Sequence, residues 1–321
     1  MEHLEPLEGH GGTPVSATPA FVRTPDDRFT ALPDWPFEPQ YLDVGGLRAH
    51  YVDEGPRDGE VFLLTHGEPT WSYLYRHWIP RLVEAGYRCI AHDHIGFGRS
   101  DKVVADDWYV IERHVEVQRA LIEALDLQGI NLFCQDWGGP ISLRNACDAP
   151  ERYRRLFIGN TWLHHDGYTY TEAIQRWRTL SQDPAQVGGD MPTGVILSLA
   201  LRRPGHDVAA LRAAYDAPYT GIESKAGARR FPWCLPFVNP DEGGAGWQQR
   251  CFEQLQGWDG DVHLVWGDAD HVFTWGWAQE WASRIPGATL DRIEGAGHFL
   301  QEDAPADCVD AVLRRTGAPA A

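Results

Sequence analysis

An aspartate in the middle of the chain is placed where it could act as a nucleophile. Asp136 follows the apolar run 130–134, which is typical of a buried strand, and precedes Trp137-Gly138-Gly139, where a helix is predicted to begin. A strand that turns sharply into a helix, with glycine two residues after the exposed side chain, is the nucleophile elbow. Cys134 departs from the usual elbow pattern, which has glycine at that position. The alternative is that Asp136 only caps the N-terminus of the helix.

A histidine and two carboxylates lie downstream of this aspartate and could activate water. His298 lies on a loop between glycines after a strand-like run, so it is the best placed of the 14 histidines to act as a general base. Asp268 and Asp270 follow another strand-like run and could orient the imidazole. Asp270 is the better candidate because the loop must carry the acid past the end of the strand, which leaves Asp268 as a turn residue. The alternative is that His298 is an ordinary loop histidine.

A loop upstream of the elbow could stabilise an oxyanion. His66-Gly67-Glu68-Pro69 follows the strand-like run 61–65. In enzymes with a nucleophile elbow, one backbone N–H from such a loop and the N–H of the residue after the nucleophile form the oxyanion hole. The sequence therefore assigns the oxyanion hole to the amides of Glu68 and Trp137.

The elements that must position these residues alternate between strand-like and helical patterns. Short apolar runs with helical segments between them predict a mostly parallel sheet covered by helices on both faces. The predicted strands are 41–44, 47–52, 61–65, 89–91, 130–134, 156–158, 263–266 and 289–293, of which the first two form an antiparallel hairpin through Gly45-Gly46. The predicted helices between them are 71–85, 112–125, 139–147 and 277–284.

The alternation stops after the sixth strand, where a helical insert is predicted. From about 163 to about 228 the helical pieces 171–180, 195–202 and 207–214 occur without a strand between them. An insert that follows a strand lies over the carboxyl edge of the sheet, where open α/β sheets bind ligands. The predicted domains are therefore a core of 21–162 and 229–321, and a cap of 163–228. Residues 1–20 lack the basic start and apolar centre of a signal peptide and are predicted to be a flexible leader.

Composition argues against several classes of function. The formal net charge of the 321-residue chain is −18, which disfavours nucleic acid and anionic membranes as partners. No apolar run approaches the ~20 residues that span a bilayer. The 6 cysteines have no CxxC spacing, which argues against a zinc site and favours a reduced, cytoplasmic location. The 14 tryptophans suit an apolar pocket as well as a core.

Several motifs together resemble the haloalkane dehalogenases. The segments that carry the resemblance are 66–76 (HGEPTWSYLYR), 93–102 (DHIGFGRSDK), 135–139 (QDWGG) and 295–299 (GAGHF), with 23–26 and 32–37 upstream. The resemblance covers residues 21 to 315 and is weakest across the insert. It implies an α/β-hydrolase fold, with an eight-stranded, mostly parallel sheet and a helical cap inserted after the sixth strand.

The resemblance implies a two-step hydrolysis that needs no metal or organic cofactor. The carboxylate of Asp136 displaces halide from carbon and forms an ester. His298, oriented by Asp270, activates a water that attacks this ester, while the Glu68 and Trp137 amides hold the oxyanion. The implied partners are a small halogenated hydrocarbon, a halide ion and water. We expect a monomer or a weak homodimer.

The leaving halide needs hydrogen-bond donors, and the resemblance implies two tryptophans. The indole N–H is a donor on an apolar ring, so it suits a dry halide site. Trp137 is similar to the first donor of the family. Some members place an asparagine after His-Gly as the second donor, but this chain has Glu68 there, so a cap tryptophan is implied. Trp177 is the candidate and Trp162 the alternative, although Trp177 could also be a core residue of a cap helix.

Three other functions stay open on the sequence alone. Asp-Trp-Gly-Gly also occurs in the epoxide hydrolases, which share the triad but use cap tyrosines as an acid. The candidate tyrosines here are Tyr168, Tyr170, Tyr215 and Tyr219. A fluoroacetate-type dehalogenase is disfavoured because that group has Asp-Arg at the elbow. A non-catalytic receptor of the same fold is disfavoured because nucleophile, acid and base are all present.

Overall fold

The computed structural model describes residues 18–236 and 243–317. Of the predicted leader, residues 1–17 therefore lie outside the described residues. The strands of the described residues are β1 Phe21–Val22, β2 Gln40–Val44, β3 Leu47–Glu54, β4 Val61–Thr65, β5 Arg88–His92, β6 Lys102–Val103, β7 Ile130–Gln135, β8 Tyr153–Gly159, β9 Asp261–Gly267 and β10 Thr289–Ile293. Their α-helices are α1 Ile79–Glu84, α2 Ile111–Ala124, α3 Gly138–Asp148, α4 Glu172–Gln182, α5 Thr193–Ala200, α6 Val208–Asp216, α7 Ala226–Arg230, α8 Ala245–Leu255, α9 Trp275–Arg284, α10 Leu300–Asp303 and α11 Pro305–Thr316.

The described residues form an eight-stranded sheet in the order β10-β9-β8-β7-β4-β5-β3-β2. β3 pairs antiparallel with both of its neighbours, and the remaining pairs are parallel. The predicted mostly parallel sheet is therefore confirmed, and each of its strands lies within three residues of its predicted bounds. β1 and β6 form a separate antiparallel pair that was not predicted, because two residues are too few to show a period.

The centre of the sheet is buried on both faces. Phe62, Leu63 and Leu64 of β4 are all fully buried, as are consecutive residues of β7 and β8. Such continuous burial is expected of parallel strands covered by helices on each side. It also explains why these strands are apolar runs rather than alternating patterns. Parallel strands end at the same edge, so the loops that follow β4, β7, β8, β9 and β10 meet there.

The predicted helix 71–85 is wrong in its first half. Ser72–Tyr75 forms a 3₁₀ helix, and α1 begins only at Ile79. Pro80 explains the break, because it lacks a backbone N–H and its ring clashes with the carbonyl four residues earlier. A helix that contains Pro80 must therefore start within about one turn before it.

The described residues between β8 and β9 form helices and no strand. α4 begins where the Thr171 side chain accepts a hydrogen bond from the Ile174 amide, and α6 begins where the Asp207 side chain accepts one from the Ala210 amide. Serine, threonine, aspartate and asparagine are the preferred residues at this position. The predicted boundary at residue 228 falls inside α7, so the division into core and cap stays a prediction.

The Tyr215 hydroxyl on α6 connects this helical region to a buried ion pair of the sheet domain. Arg76 donates to both carboxylate oxygens of Glu302, at 2.8 and 2.6 Å, and the Tyr215 hydroxyl on α6 donates to the same carboxylate at 2.9 Å. All three side chains are buried. Removing one partner of such a pair costs roughly 3–5 kcal/mol, because the other charge is left buried and uncompensated.

Four histidines, one of them at the start of the loop that follows β4, form a buried cluster. Ring centroids lie 4.4 Å apart for His66 and His94, 4.9 Å for His92 and His94, and 5.5 Å for His94 and His114. Burial lowers the pKa of His92 and of His114 to about 3. Burial also lowers the pKa of His66 and of His94, so the cluster is neutral near pH 7.

Candidate active site

Asp136 lies at the tip of a tight strand-to-helix turn between β7 and α3. Its φ of 51° is in the left-handed region, which a non-glycine residue adopts only at a cost of about 1–3 kcal/mol. Its amide donates to the Asn160 carbonyl at 3.0 Å. At Gly138 an added Cβ would lie 2.6 Å from the Thr65 carbonyl oxygen, so only glycine fits there. The turn therefore has the geometry of a nucleophile elbow.

The imidazole of His298 lies between two carboxylates. Its Nε2 is 3.4 Å from Asp136 Oδ2, and its Nδ1 is 3.0 Å from Asp270 Oδ2. All three residues are buried. The structure therefore brings together the three side chains that the sequence selected, from loops that follow β7, β9 and β10.

The two carboxylates after β9 lie in different surroundings. Asp270 accepts hydrogen bonds from the Val272 amide at 2.6 Å and from the Asn160 side chain at 2.8 Å. Asp268 instead pairs with Arg292 at 2.6 Å and accepts from the Gly295 amide at 2.7 Å. The geometry therefore favours Asp270 over Asp268 as the partner of the imidazole.

Asn160, directly after β8, was missed by the sequence analysis. It is fully buried and joins the two halves of the site, because its carbonyl accepts from the Asp136 amide while its side chain donates to Asp270. Its side-chain oxygen also accepts from the Gly267 amide at 2.8 Å. A polar residue directly after a buried strand, at the carboxyl edge of the sheet, was the signal that could have found it.

Gln135, the last residue of β7, was also missed. It is fully buried, and its side-chain amide donates to the His298 carbonyl at 3.1 Å. The strand that carries the elbow therefore also supports the loop that carries the histidine.

The loop after β4 contacts the carboxylate of Asp136 through its backbone. The Glu68 amide donates to Asp136 Oδ1 at 2.7 Å. At Gly67, a Cβ would collide with the Asp136 carboxylate, so glycine is required for this close approach. The structure thus places one of the two predicted oxyanion donors, and the Trp137 amide stays a prediction as the other.

The side chain of Glu68 is buried beside the cap. The indole Nε1 of Trp177 on α4 donates to its Oε2 at 3.2 Å. Burial raises the pKa of Glu68 well above its usual range, and the charge of Asp136 raises it further. Both effects favour the protonated, uncharged form of this carboxyl beside Asp136.

His298 is held in its protonated form by its partners. Burial alone lowers the pKa of His298, but the charge of Asp270 and the hydrogen bonds with Asp136 and Asp270 outweigh it and raise the pKa to about 10. The ion pair between the imidazolium and Asp136 is therefore the state near pH 7. Any reaction that removes the charge of Asp136 must lower this pKa again.

A cavity of about 210 Å³ opens next to Asp136 and His298. Its lining includes Trp137, Trp162 and Trp177, together with apolar residues such as Ile174, Ile196, Ala200, Leu235, Val272 and Phe273. Trp162 packs edge-on against Trp137 at a centroid distance of 4.6 Å and stacks on Phe273 at 5.0 Å. All three predicted tryptophans are thus brought to one cavity, which is apolar apart from the groups that could react.

The tyrosines of the insert lie elsewhere. No tyrosine is among the described residues that line the cavity. The Tyr215 hydroxyl donates to Glu302 at 2.9 Å, and the Tyr170 hydroxyl lies 3.0 Å from His164 Nδ1. These side chains are therefore not placed to donate a proton to a ligand in the cavity.

In the described part of the chain, no helix is long and apolar enough to cross a membrane. The same residues contain no cluster of three or more histidine, cysteine or acidic side chains that could hold a metal ion.

Comparisons with known proteins agree on one family. Residues 60–305 match the family model described as alpha/beta hydrolase fold. The haloalkane dehalogenase of Psychrobacter cryohalolentis is 41% identical over 88% of this chain and 93% of its own length. That of Mycolicibacterium paratuberculosis is 39% identical over 91% of this chain and 97% of its own.

A solved structure gives the same result. The haloalkane dehalogenase of Paraglaciecola agarilytica, described as tetrameric, superposes with a TM-score of 0.83 at 36% identity. The match covers 91% of this chain and 98% of that one.

Proposed function

The chain belongs to the haloalkane dehalogenases, hydrolases that act on carbon–halide bonds, and on that premise we propose which residues carry out the reaction. Asp136 is the nucleophile, His298 the general base and Asp270 the acid that orients it. The observation that supports this most is the imidazole of His298 held between two buried carboxylates, 3.4 and 3.0 Å away.

In the first step the two oxygens of Asp136 have different tasks. Oδ1 accepts from the Glu68 amide, so Oδ2 is left to attack the carbon that carries the halogen. A lone pair of Oδ2 forms the new carbon–oxygen bond while the electron pair of the carbon–halogen bond leaves with the halide. Oδ1 becomes the carbonyl oxygen of the ester and keeps the Glu68 amide as its donor.

In the second step His298 activates a water molecule against this ester. The imidazole takes one proton of the water, and the oxygen adds to the ester carbonyl carbon. The negative charge that develops on Oδ1 is stabilised by the amides of Glu68 and Trp137. Collapse releases the alcohol and restores the Asp136 carboxylate, so the net products are alcohol, halide and a proton.

The pH dependence of ester hydrolysis follows from the loss of the ion pair between His298 and Asp136 when the ester forms. Ester formation removes the charge of Asp136 and its hydrogen bond to His298, which are two of the causes that raise the pKa of His298 to about 10. The pKa of His298 in the ester intermediate is therefore lower than 10, so the neutral imidazole is populated at a lower pH than in the free enzyme. We expect the rate of ester hydrolysis in single turnovers to rise with pH to a plateau, with a midpoint below 10.

Glu68→Gln is the control for this pH profile. Glutamine cannot titrate, so the same midpoint in this variant assigns the transition to His298. A hydrolysis rate that falls as pH rises would contradict the assignment of His298 as the base.

The departing halide is bound by the indole N–H groups of Trp137 and Trp177. Both indoles line the cavity beside Asp136, which supports this arrangement. Halide binding requires the Trp177 N–H to turn away from Glu68 Oε2, its acceptor in the structure, or to be shared with it. A hydrogen bond to a charged group contributes about 1.5–3 kcal/mol, so each of Trp137→Phe and Trp177→Phe should weaken bromide binding roughly tenfold to over a hundredfold. The measurement is the bromide inhibition constant of turnover.

Trp162→Phe is the matched control for the halide site, because it also lines the cavity as an indole. We expect it to leave bromide inhibition within about threefold of wild type, since phenylalanine keeps most of the packing. A large loss in Trp162→Phe together with none in Trp177→Phe would transfer the second halide ligand to Trp162.

The cavity supports small substrates. Its volume of about 210 Å³ is below the ~300–1,000 Å³ of drug-sized ligand sites, so short halogenated alkanes fit best. Ala173, Ile174 and Trp177 of the predicted cap 163–228 supply one wall, with Ile196 and Ala200. We therefore propose that this region acts as the cap over the site and sets the length of substrate accepted.

The state of assembly and the location are separate proposals. We keep a monomer or weak homodimer as the proposal, although the relative from Paraglaciecola agarilytica is described as tetrameric. Sedimentation velocity of the wild-type protein distinguishes these states. The six cysteines are all buried thiols without disulfides, which supports a reduced, cytoplasmic setting.

Isotope transfer tests the proposed roles directly. Wild-type protein in excess over 1-bromobutane, in water enriched in ¹⁸O, should release bromide and incorporate ¹⁸O into the Asp136 peptide during the first turnover. The label enters the carboxylate because water attacks the ester carbonyl rather than the alkyl carbon. Label found only in the alcohol would mean direct attack by water and would remove Asp136 as nucleophile. Styrene oxide in parallel should give no diol.

A further inference from the structure

One buried carboxylate collects backbone donors from two segments that are far apart in the sequence. Asp303, the last residue of α10, accepts from the Gly297 amide at 2.7 Å and from the Arg202 amide at 2.9 Å. It also accepts from the Arg203 amide at 3.1 Å and lies 3.1 Å from His206 Nε2. The carboxylate itself is fully buried. Its charge is therefore stabilised mainly by aligned backbone N–H groups.

The two segments that meet at Asp303 both belong to the active site. Gly297 precedes His298, and the Arg202 and Arg203 amides follow the end of α5 at Ala200, which lines the cavity. The segments also touch directly, since a Cβ on Gly297 would lie 2.5 Å from the Ala200 carbonyl oxygen. The loop of the base is thus packed and hydrogen-bonded against the wall of the substrate cavity.

We propose that Asp303 is a positioning residue that fixes the His298 loop against the end of α5, so that the general base and the cavity wall keep one relative position during ester hydrolysis. This inference rests on the proposed role of His298. A displacement of about 1 Å at a catalytic group can cost roughly a hundredfold in rate, so a lost anchor one residue from the base has a measurable effect.

The chemistry of the contact requires a carboxylate. Oδ2 accepts from the Gly297 and Arg202 amides, while Oδ1 accepts from the Arg203 amide and faces His206. Both oxygens must therefore act as acceptors. An asparagine would turn an N–H toward one of these donors and would lose the anchor on either the base loop or the α5 segment.

The two chemical steps depend on Asp303 to different degrees. Ester formation uses Asp136, which follows β7 and accepts from the Glu68 amide. The hydrogen bonds of the Asp303 carboxylate within the described residues go to Gly297, Arg202, Arg203 and His206 instead. Ester hydrolysis uses His298, and the amide of its neighbour Gly297 donates a hydrogen bond to Asp303. A loss of positioning therefore slows the second step and leaves the first nearly unchanged, whereas general destabilisation affects both.

Rapid-quench kinetics of Asp303→Asn with 1-bromobutane test this proposal. We expect the bromide burst to keep its wild-type rate within about threefold and steady turnover to fall roughly tenfold to a hundredfold. The alkylated Asp136 peptide should then accumulate. Equal slowing of both steps, or an unchanged ratio of burst to steady rate, would overturn the proposal.

Two further variants keep the test decisive if Asp303→Asn folds poorly. Gly297→Ala disturbs the same junction from the opposite side, through the Ala200 carbonyl, and should show the same split between the steps. His206→Ala removes only the partly exposed donor and should behave as wild type; the same split in this variant would reassign the effect to His206. His298→Phe in the same experiment reports on the proposed function, because an absent ester there would refute the mechanism and not merely the role of Asp303.

Discussion

Replacing His298 with phenylalanine is expected to stop the reaction after one halide per active site. Asp136 can still attack carbon, since its nucleophilic oxygen and the Glu68 amide are untouched. The ester then persists because no base activates water, which should lower the steady rate roughly 10²- to 10⁴-fold. Rapid quench should show a stoichiometric bromide burst, and the Asp136 peptide should gain the mass of one alkyl group.

Asp136→Asn is the matched control for this experiment. It changes one atom of the nucleophile and keeps the shape of the elbow, yet a neutral amide oxygen does not displace halide. We expect neither burst nor adduct. A burst in Asp136→Asn, or an adduct on another residue in His298→Phe, would place the nucleophile elsewhere.

Replacing Asp270 with asparagine is expected to give the second largest effect. The charge of Asp270 is the first of the causes that raise the pKa of His298, and its Oδ2 fixes the orientation of the ring. In serine hydrolases with the same acid–imidazole pair, this change costs roughly 10⁴ in kcat. We expect ester hydrolysis to slow by roughly 10²- to 10⁴-fold, while ester formation changes much less.

The neighbouring carboxylate supplies the control for Asp270. Asp268→Asn weakens its pair with the half-exposed Arg292, but the asparagine oxygen can still accept from the Gly295 amide, so turnover should stay within about threefold of wild type. A hydrolysis defect in Asp268→Asn with normal turnover in Asp270→Asn would exchange the two assignments.

The central strands and the main site residues were accessible from the sequence for the same physical reason. Strands buried on both faces are apolar runs, and the loops after them share the carboxyl edge of the sheet. The sequence pattern therefore predicts that Asp136, Asp270 and His298 lie close together. The pair of β1 and β6 was not predicted because two residues are too few to show a period. The break before Pro80 was missed although the proline itself indicates it.

The supporting residues could not be found in this way. Asn160 bonds to Asp270 and Asp303 bonds to Arg202 across about a hundred residues, so no local pattern records either contact. The hydrogen-bond partner of Trp177 was likewise not predictable from the sequence. Its indole was assigned to the halide from the resemblance, and only the fold brings it to the Glu68 carboxyl.

Because of the buried histidine cluster, the stability of the folded protein depends on how well the surrounding medium is buffered. Each turnover releases a proton, so an unbuffered medium acidifies as substrate is consumed. The unfolded chain takes up protons at His66, His92, His94 and His114 once the pH falls below about 6.5, whereas burial keeps the folded cluster neutral down to about pH 3 at His92 and His114. The free energy of unfolding therefore decreases as the pH falls through this window. The amount of halogenated compound that a given quantity of protein can convert is thus limited by the alkalinity available to neutralise the acid it makes.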